Sequence, residues 1–193
     1  MRNFVYFSGT ARTSGNFDVN NLMKSGRMDI VVHFIINTFF LSHNLRDDVK
    51  LHLIFYGPPD PPKHIEIQIK PDTEISKKDV ANLIKKILYK YKPNQKIEAH
   101  PGCYVEKKSL LKLIDELLEE EKEIFILEKD GKPLRDTKIP EDSVFIIGDH
   151  LGLPKKELKR LRGVSSKISA GPVVYFASQI VTILNNELDI RGL

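Results

Sequence analysis

The chain of 193 residues is 41% hydrophobic and 29% charged, which is typical of a globular protein and excludes a largely disordered one. It contains no apolar run of about 20 residues and no signal-peptide core near its start, so we expect no membrane span and a cytoplasmic location. A net charge of +4 does not by itself identify a nucleic-acid-binding protein, and the single cysteine, Cys103, excludes internal disulfides and cysteine-based metal clusters.

The first half of the chain predicts three strands and two helices. Apolar or alternating runs predict strands at 3–8, 49–56 and 63–69, and a strongly apolar run predicts a helix at 28–42 with Arg27 and Asp29 at its start. A second helix is predicted from Asp79 to Tyr91, with Ser76 as a plausible N-cap.

The second half alternates strands and helices in the same way. Pro93 and Pro101-Gly102 indicate a loop, and Asp130-Gly131 indicates a turn. Strands are predicted at 123–128, 143–148 and 164–169, and helices at 107–121, from Lys155 onwards and at 174–188. This alternation predicts an α/β fold with a mainly parallel sheet, in a single domain covering 1–193.

Charged residues are segregated along the chain. The segment 77–96 contains seven lysines and only one acid, Asp79; the segment 154–163 is also basic, and 115–123 is acidic. Basic faces of this kind favour contact with nucleic-acid phosphates, although solvated helix surfaces show the same pattern.

Three predicted strands end in segments that could bind a ligand. These are Leu127-Glu128, 147–150 (IGDH) and 168–172 (ISAGP). Ligands of parallel α/β sheets bind beyond the carboxyl ends of strands, and glycines there let backbone amides approach a ligand, although they can also be simple turn residues.

Familiar cofactor motifs are absent from the sequence. Neither G-x-G-x-x-G after the first strand nor a G-x-x-x-x-G-K-[ST] loop is present, which disfavours common dehydrogenases and P-loop enzymes. Without H-E-x-x-H, paired cysteines or clustered histidines, we expect no catalytic metal.

Several runs resemble a known enzyme family. Residues 145–153 (FIIGDHLGL), 168–172 (ISAGP) and 177–185 (ASQIVTILN) resemble the C-terminal knot of the SPOUT methyltransferases. Gly26-Arg27-Met28-Asp29 and 39–49 (FFLSHNLRDDV) are similar, more specifically, to the archaeal enzymes that methylate N1 of pseudouridine 54 in tRNA. The resemblance extends from Met1 to Asp189.

The resemblance implies a fold and a cofactor. The fold would be a SPOUT-type sheet with helices on both faces and a trefoil knot, and the knot and cofactor site would occupy about 123–189. S-adenosylmethionine would be held largely by backbone groups, and Ile180 would lie beneath it where archaeal relatives commonly have cysteine. The cofactor contacts implied are Leu127, Gly148, Ile168, Ser169, Ala170, Gly171, Pro172, Val173 and Ile180.

It also implies partners and catalytic residues. The protein would form a homodimer through the knot and act on tRNA, with no metal and no membrane. Asp29 is the first candidate to accept the proton of N1 and Asp149 the second, while Arg27 would hold a phosphate or a uracil carbonyl. Asp29 could instead be a helix-start residue stabilised by the helix dipole. Tyr6 or Phe7 could support the flipped base.

Other functions in the same superfamily stay open. Pseudouridine in rRNA or a ribose 2′-hydroxyl could be the target, and a non-catalytic RNA-binding assembly factor is a further alternative. Among basic residues, we expect five to grip tRNA phosphates: Lys155, Lys156, Lys159, Arg160 and Arg162.

Overall fold

The first strand of the chain lies in the interior of an eight-stranded sheet, in the computed structural model that describes residues 1–193. The strands are β1 (Arg2–Ser8), β2 (Val49–Phe55), β3 (Lys63–Gln68), β4 (Ile97–His100), β5 (Cys103–Glu106), β6 (Ile124–Pro133), β7 (Val144–Gly148) and β8 (Ser166–Ser169). The helices are α1 (Met28–Phe39), α2 (Val80–Tyr89), α3 (Leu110–Glu119), α4 (Lys155–Val164) and α5 (Ala177–Arg191).

The sheet is mixed, in the order β4-β5-β3-β2-β1-β7-β6-β8. β1 pairs in parallel with β2 and β7, and β6 pairs in parallel with β7 and β8. The pairs β2–β3, β3–β5 and β5–β4 are antiparallel. The predicted α/β class is therefore confirmed, with an antiparallel extension beyond β2.

Both faces of the sheet are covered by helices. Alternating residues of β1 point to opposite faces, so Phe4 and Tyr6 join one hydrophobic cluster while Val5 and Phe7 join the other. The first cluster contains buried residues of α1, α2 and α5. The second contains the apolar face of α3 and Leu161 of α4. The sheet therefore separates the lysine-rich α2 from the acidic α3.

The strand β4 lies within the loop predicted between Pro93 and Gly102, and β5 follows it in a segment where no element was predicted. Each has only four residues of mixed polarity, so neither gives a clear alternation in the sequence. They are joined through Gly102, whose φ of +71° is the left-handed conformation that glycine adopts without steric cost. The turn predicted at Pro101-Gly102 is confirmed, whereas the loop predicted before it was wrong for the residues of β4.

The strand β6 continues beyond the predicted end at 128. Its register with β8 shifts between Leu127 and Lys132, which both align with Ile168. The predicted turn at Asp130-Gly131 falls within this irregular segment. A Cβ atom on Gly131 would lie 2.4 Å from the Ile168 carbonyl carbon, so only glycine allows the two backbones to approach this closely.

None of the five helices combines the length and hydrophobicity needed to cross a bilayer. The trefoil knot and the assignment of 1–193 to one domain stay predictions.

Candidate active site

A cavity of about 360 Å³ lies at the ends of β7 and β8 and beside the irregular middle of β6, where the strand was predicted to end. Its volume is within the range of roughly 300–1,000 Å³ that is typical of small-molecule sites. It is lined by most of the predicted cofactor contacts: Leu127, Gly148, Ser169, Ala170, Gly171, Val173 and Ile180. The three segments identified from the sequence therefore do meet around one cavity.

Two predicted contacts do not line the cavity. The Ile168 side chain is fully buried in the hydrophobic cluster beneath it, and Pro172 is exposed outside it. A backbone contact from either residue to a cofactor stays a prediction.

The cavity also has lining residues that the sequence did not single out. The segment leading into α5 contributes Val174, Tyr175, Phe176 and Ala177, and α1 contributes Ile30. The apolar run that follows Gly171-Pro172 was a signal for the first four. No sequence pattern indicated that Ile30 would line the cavity, because its position there depends on how α1 packs against α5.

Glycines fix the shape of the loop after β7. A Cβ atom on Gly148 would lie 2.7 Å from the Gly152 carbonyl carbon, closer than real Cβ contacts allow. Gly152 has a φ of +78° but open space around its Cα. Gly148 is therefore required by close packing, and Gly152 by backbone conformation.

Asp149 ties this loop to the end of β1. Its Oδ2 accepts hydrogen bonds from the Ser8 hydroxyl at 2.8 Å and the Gly9 amide at 3.0 Å. Its Oδ1 accepts a hydrogen bond from the Leu151 amide at 2.8 Å. Because both carboxylate oxygens are engaged within the protein, Asp149 acts as an anchor of the site wall.

Arg27 and Asp29 form a bidentate ion pair at the start of α1. Arg27 Nε lies 3.0 Å from Asp29 Oδ1, and Nη2 lies 3.0 Å from Oδ2. Hydrogen bonding to Arg27 lowers the pKa of Asp29 below its ordinary value, so this carboxylate stays ionised. Arg27 has a φ of 59°, an uncommon conformation for a residue with a side chain.

Tyr6 is close enough to Arg27, Asp29 and Asp149 for their charges to act on its hydroxyl group. Burial raises its pKa most, the charges of Asp149 and Asp29 raise it further, and Arg27 opposes them. All three charged residues therefore act on one hydroxyl group. The Tyr6 ring is fully buried and tilted against Phe34 at a centroid distance of 4.5 Å, so Tyr6 is part of the core rather than an exposed support for a base.

The segment 9–26 begins and ends at this site. The Thr10 hydroxyl donates to the Gly26 carbonyl at 3.1 Å, and a Cβ atom on Gly26 would lie 2.0 Å from the Thr10 carbonyl oxygen. This contact, together with the bond from Gly9 to Asp149, places the start of α1 against the end of β1. Of the three candidate catalytic residues, Asp149 lines the cavity, while Arg27 and Asp29 lie at the start of α1, directly before the lining residue Ile30.

Histidines that are separated in the sequence meet elsewhere in the fold. His52 Nδ1 lies 2.9 Å from His64 Nε2, and His64 Nδ1 lies 3.0 Å from Glu106 Oε1. The expectation that the chain has no clustered histidines was therefore wrong in three dimensions. Burial lowers the pKa of both histidines, so both are neutral near pH 7 and the contacts form a hydrogen-bonded chain towards Glu106.

The cavity fits S-adenosylmethionine chemically. Leu127, Ile147 and Ile180 provide apolar surface for an adenine ring, and the strand ends place backbone groups at the rim. Among the polar lining residues, the Asp149 carboxylate suits a positive charge, whereas the Glu128 carboxylate is already paired with Arg162.

Comparisons with known proteins agree with this chemistry. The model of a family of SAM-dependent RNA methyltransferases matches residues 1–193. A tRNA (pseudouridine(54)-N(1))-methyltransferase of Methanosarcina acetivorans is 37% identical, covering 98% of this chain and 91% of that protein. The protein of the same name from Pyrococcus abyssi is 33% identical over all of both chains.

Solved structures agree on the fold. Archaeoglobus fulgidus Nep1 bound to S-adenosylhomocysteine has a TM-score of 0.66 at 16% identity, and the match covers 100% of this chain and 99% of that one. The SpoU methyltransferase AviRb from Streptomyces viridochromogenes has a TM-score of 0.51 at 14% identity, with 61% of that chain covered. On the full-length family match and these relatives, the chain belongs to the SAM-dependent RNA methyltransferases, within the family of the archaeal tRNA (pseudouridine(54)-N(1))-methyltransferases.

Proposed function

We propose that the protein transfers the methyl group of S-adenosylmethionine to N1 of pseudouridine 54 in tRNA. The observation that carries the proposal is that the Arg27–Asp29 pair directly precedes a residue of the cavity wall. Ile30, the residue after Asp29, lines the cavity together with Leu127, Gly148 and Gly171. An ionised carboxylate is thereby held next to the place where a methyl donor fits.

We assign the cofactor to the cavity formed by the three strand ends. Backbone groups of Gly148 and of 168–173 would hold it, with Leu127 and Ile180 against its apolar parts. When bound, this cofactor supplies an electrophilic methyl group on a sulfonium. The protein's own contribution is to orient the base and to keep water out of a partly enclosed apolar site.

Asp29 would receive the proton that N1 must lose. Methylation of N1 requires the loss of the N1–H proton, and the Asp29 carboxylate would be the group that accepts it. A carboxylate with a lowered pKa is a weak base, but it is a good hydrogen-bond acceptor for N1–H before transfer. Arg27 fixes its orientation and presents positive charge towards a uracil carbonyl or a phosphate.

We assign Asp149 a supporting role. Its three hydrogen bonds hold the wall between the end of β1 and the loop after β7, and its negative charge lines the cavity in which the cationic cofactor would bind. It ranks behind Asp29 as a proton acceptor because its side chain is only 1% exposed, whereas that of Asp29 is 25% exposed and can be reached by a substrate.

We also propose that the protein acts as a cytoplasmic homodimer with a knotted C-terminal segment. Exposed apolar side chains next to the cavity support the dimer, since Val174 is 80% exposed and Phe176 is 76% exposed. Light scattering at assay concentration tests this point, and a monomer would contradict it.

Methyl mapping tests the proposed reaction. The purified protein is mixed with labelled S-adenosylmethionine and either tRNA carrying pseudouridine 54 or the same transcript with uridine 54. We expect N1-methylpseudouridine in the first and no product in the second. Equal transfer to uridine, methylation of a ribose or of rRNA alone, or RNA binding with no transfer to any RNA would each overturn the assignment.

Replacing Asp29 with asparagine tests the proton acceptor. Asp29→Asn removes the basic group but keeps the shape, so we expect turnover to fall about 100-fold or more with tRNA affinity little changed. Near-normal turnover together with near-normal affinity would remove Asp29 from catalysis.

A further inference from the structure

The lysines of α2 remain without acidic partners in the folded protein. The lysines in ion pairs are Lys63, Lys70, Lys96, Lys107, Lys108, Lys122 and Lys167. Those on and beside α2 that are exposed and absent from this set are Lys77, Lys78, Lys86, Lys90 and Lys92. The Lys90 ammonium donates to the Ala99 carbonyl oxygen at 2.7 Å, which leaves four lysines with no hydrogen-bond partner for their ammonium groups: Lys77, Lys78, Lys86 and Lys92. Their charge is therefore not neutralised within the chain.

An exposed aromatic ring lies among these lysines. Tyr89 is 61% exposed, and Lys86 is on the same face of α2 because residues three apart on a helix are neighbours. Interleaved cations and an exposed ring are suited to phosphates and to an unstacked base. We call Lys77, Lys78, Lys86, Lys92 and Tyr89 the α2 surface.

Direct contacts connect the α2 surface to the candidate active site. The Lys85 ammonium donates to the Phe17 carbonyl oxygen at 2.7 Å. A Cβ atom on Gly15 would lie 2.4 Å from Tyr89 Cδ2, so the segment 9–26 packs directly against the ring. Both ends of this segment lie at the catalytic carboxylates, so the segment leads from α2 to the place where the target base would enter.

The other basic helix has part of its charge paired within the protein, although its lysines Lys155, Lys156 and Lys159 are exposed and unpaired. Arg160 of α4 pairs with Asp115, and Arg162 pairs with Glu128. The acidic residues of α3 lie on the same side of the sheet as α4, whereas α2 packs in the opposite cluster. Of the five α4 residues expected to grip phosphates, two arginines are thus engaged within the protein.

We propose that the α2 surface is a second RNA contact, which binds the phosphate backbone of the tRNA away from the methylated nucleotide while Tyr89 stacks on an unpaired base. The inference rests on the proposed function for the identity of the RNA. It assigns binding of the tRNA body to α2, on the face of the sheet opposite α3.

A matched pair of charge variants tests the lysines. One variant combines Lys78→Gln, Lys86→Gln and Lys92→Gln; the control combines Lys112→Gln, Lys132→Gln and Lys138→Gln, which are also exposed and unpaired. Each removes three charges. We expect the α2 variant to bind tRNA about tenfold more weakly and to flatten the slope of log K against log salt by roughly two to three, since each phosphate contact contributes about 0.9. The control should change neither.

Two further measurements separate binding from catalysis. A short pseudouridine-containing single strand is too small to span both regions, so the α2 variant should methylate it as the wild type does. Tyr89→Ala should weaken tRNA binding about tenfold, while Tyr89→Phe should retain affinity because a phenyl ring also stacks.

The results of the RNA-binding experiments can be distinguished from those of the methyl-transfer experiment. Equal tRNA affinity and salt slope in the two triple variants would overturn the α2 surface even if methyl transfer were normal. If the wild type methylates no RNA, the proposed function fails, while the comparison of salt slopes still decides whether RNA lies on α2.

Discussion

Arg27 holds both carboxylate oxygens of Asp29, a residue only two positions along the chain, at 3.0 Å each. The left-handed conformation of Arg27 turns its side chain back over the start of α1, and the contact of Gly26 with Thr10 fixes that turn. The pair is therefore built by local backbone geometry rather than by distant elements, which makes it sensitive to single substitutions.

Replacing Arg27 should impair catalysis more than stability. Arg27→Lys keeps the positive charge but loses the two parallel hydrogen bonds, so we expect kcat/KM for tRNA to fall roughly ten- to 100-fold. The cofactor affinity, measured by calorimetry with S-adenosylhomocysteine, should be unchanged. Turnover at the wild-type level would show that the bidentate geometry is dispensable.

Two glycines of one loop should respond differently to alanine. Gly148→Ala places a methyl group against the Gly152 backbone, so the loop must shift and S-adenosylhomocysteine binding should weaken at least tenfold. Gly152→Ala meets open space and costs only its backbone conformation, about 1 kcal/mol of unfolding free energy. If both variants bound the compound equally well, the loop after β7 would not be part of its site.

The hydroxyl groups of two tyrosines should contribute to the free energy of unfolding with opposite signs. The Tyr6 hydroxyl is buried without a hydrogen-bond partner, so Tyr6→Phe should raise the free energy of unfolding by about 1 kcal/mol. The Tyr56 hydroxyl donates to Glu157 and accepts from the Leu110 amide, so Tyr56→Phe should lower it by about 1 kcal/mol. Denaturant titrations check both, and destabilisation by Tyr6→Phe would indicate a hidden partner.

Stability should fall as the pH drops below about 7. His52 and His64 have pKa values lowered by burial, so the unfolded chain takes up protons near pH 6.5 that the folded protein still excludes. Burial alone would raise the pKa of Glu106, but hydrogen bonds from His64 and Lys108 outweigh it and hold it at about 2. The stability that Glu106 contributes is present above the pKa of this residue in the unfolded chain, and it is lost as the pH falls from about 5 towards 2.

Denaturant titrations between pH 4 and 8 measure this dependence. His52→Leu removes one of the two buried imidazoles that take up a proton on unfolding, so the variant should lose less stability between pH 7.5 and 5 than the wild type does. The substitution also removes a buried Nε2 that has no hydrogen-bond partner. Identical curves for the two proteins would show that His52 does not take up a proton on unfolding.

The sequence predicted the parallel part of the sheet because its strands are buried on both faces. The run of Val144–Gly148 is apolar throughout, and a short apolar run between turn residues is typical of a strand covered on both sides. The meeting of the three strand ends followed from the rule for parallel sheets. The antiparallel strands β4 and β5 could not be predicted, because four residues of mixed polarity carry too little periodicity.

The finer contacts of the site depend on packing that no local pattern encodes. The pairing of Arg27 with Asp29 requires a left-handed arginine, which sequence propensity disfavours. His52 and His64 meet because β2 and β3 pair antiparallel with Ile54 opposite His64, a register that depends on the whole strand pair. Ile30 reaches the cavity only through the packing of α1 against α5.

The location of β1 inside the sheet has a consequence for biosynthesis. β1 can pair with β2 once about a quarter of the chain has left the ribosome. Its other neighbour, β7, begins only at Val144, 142 residues after the start of β1. Until then one edge of an apolar strand stays open, a condition that favours slow folding and association between nascent chains. Protection of that edge therefore has to come from outside the chain or from rapid completion of translation.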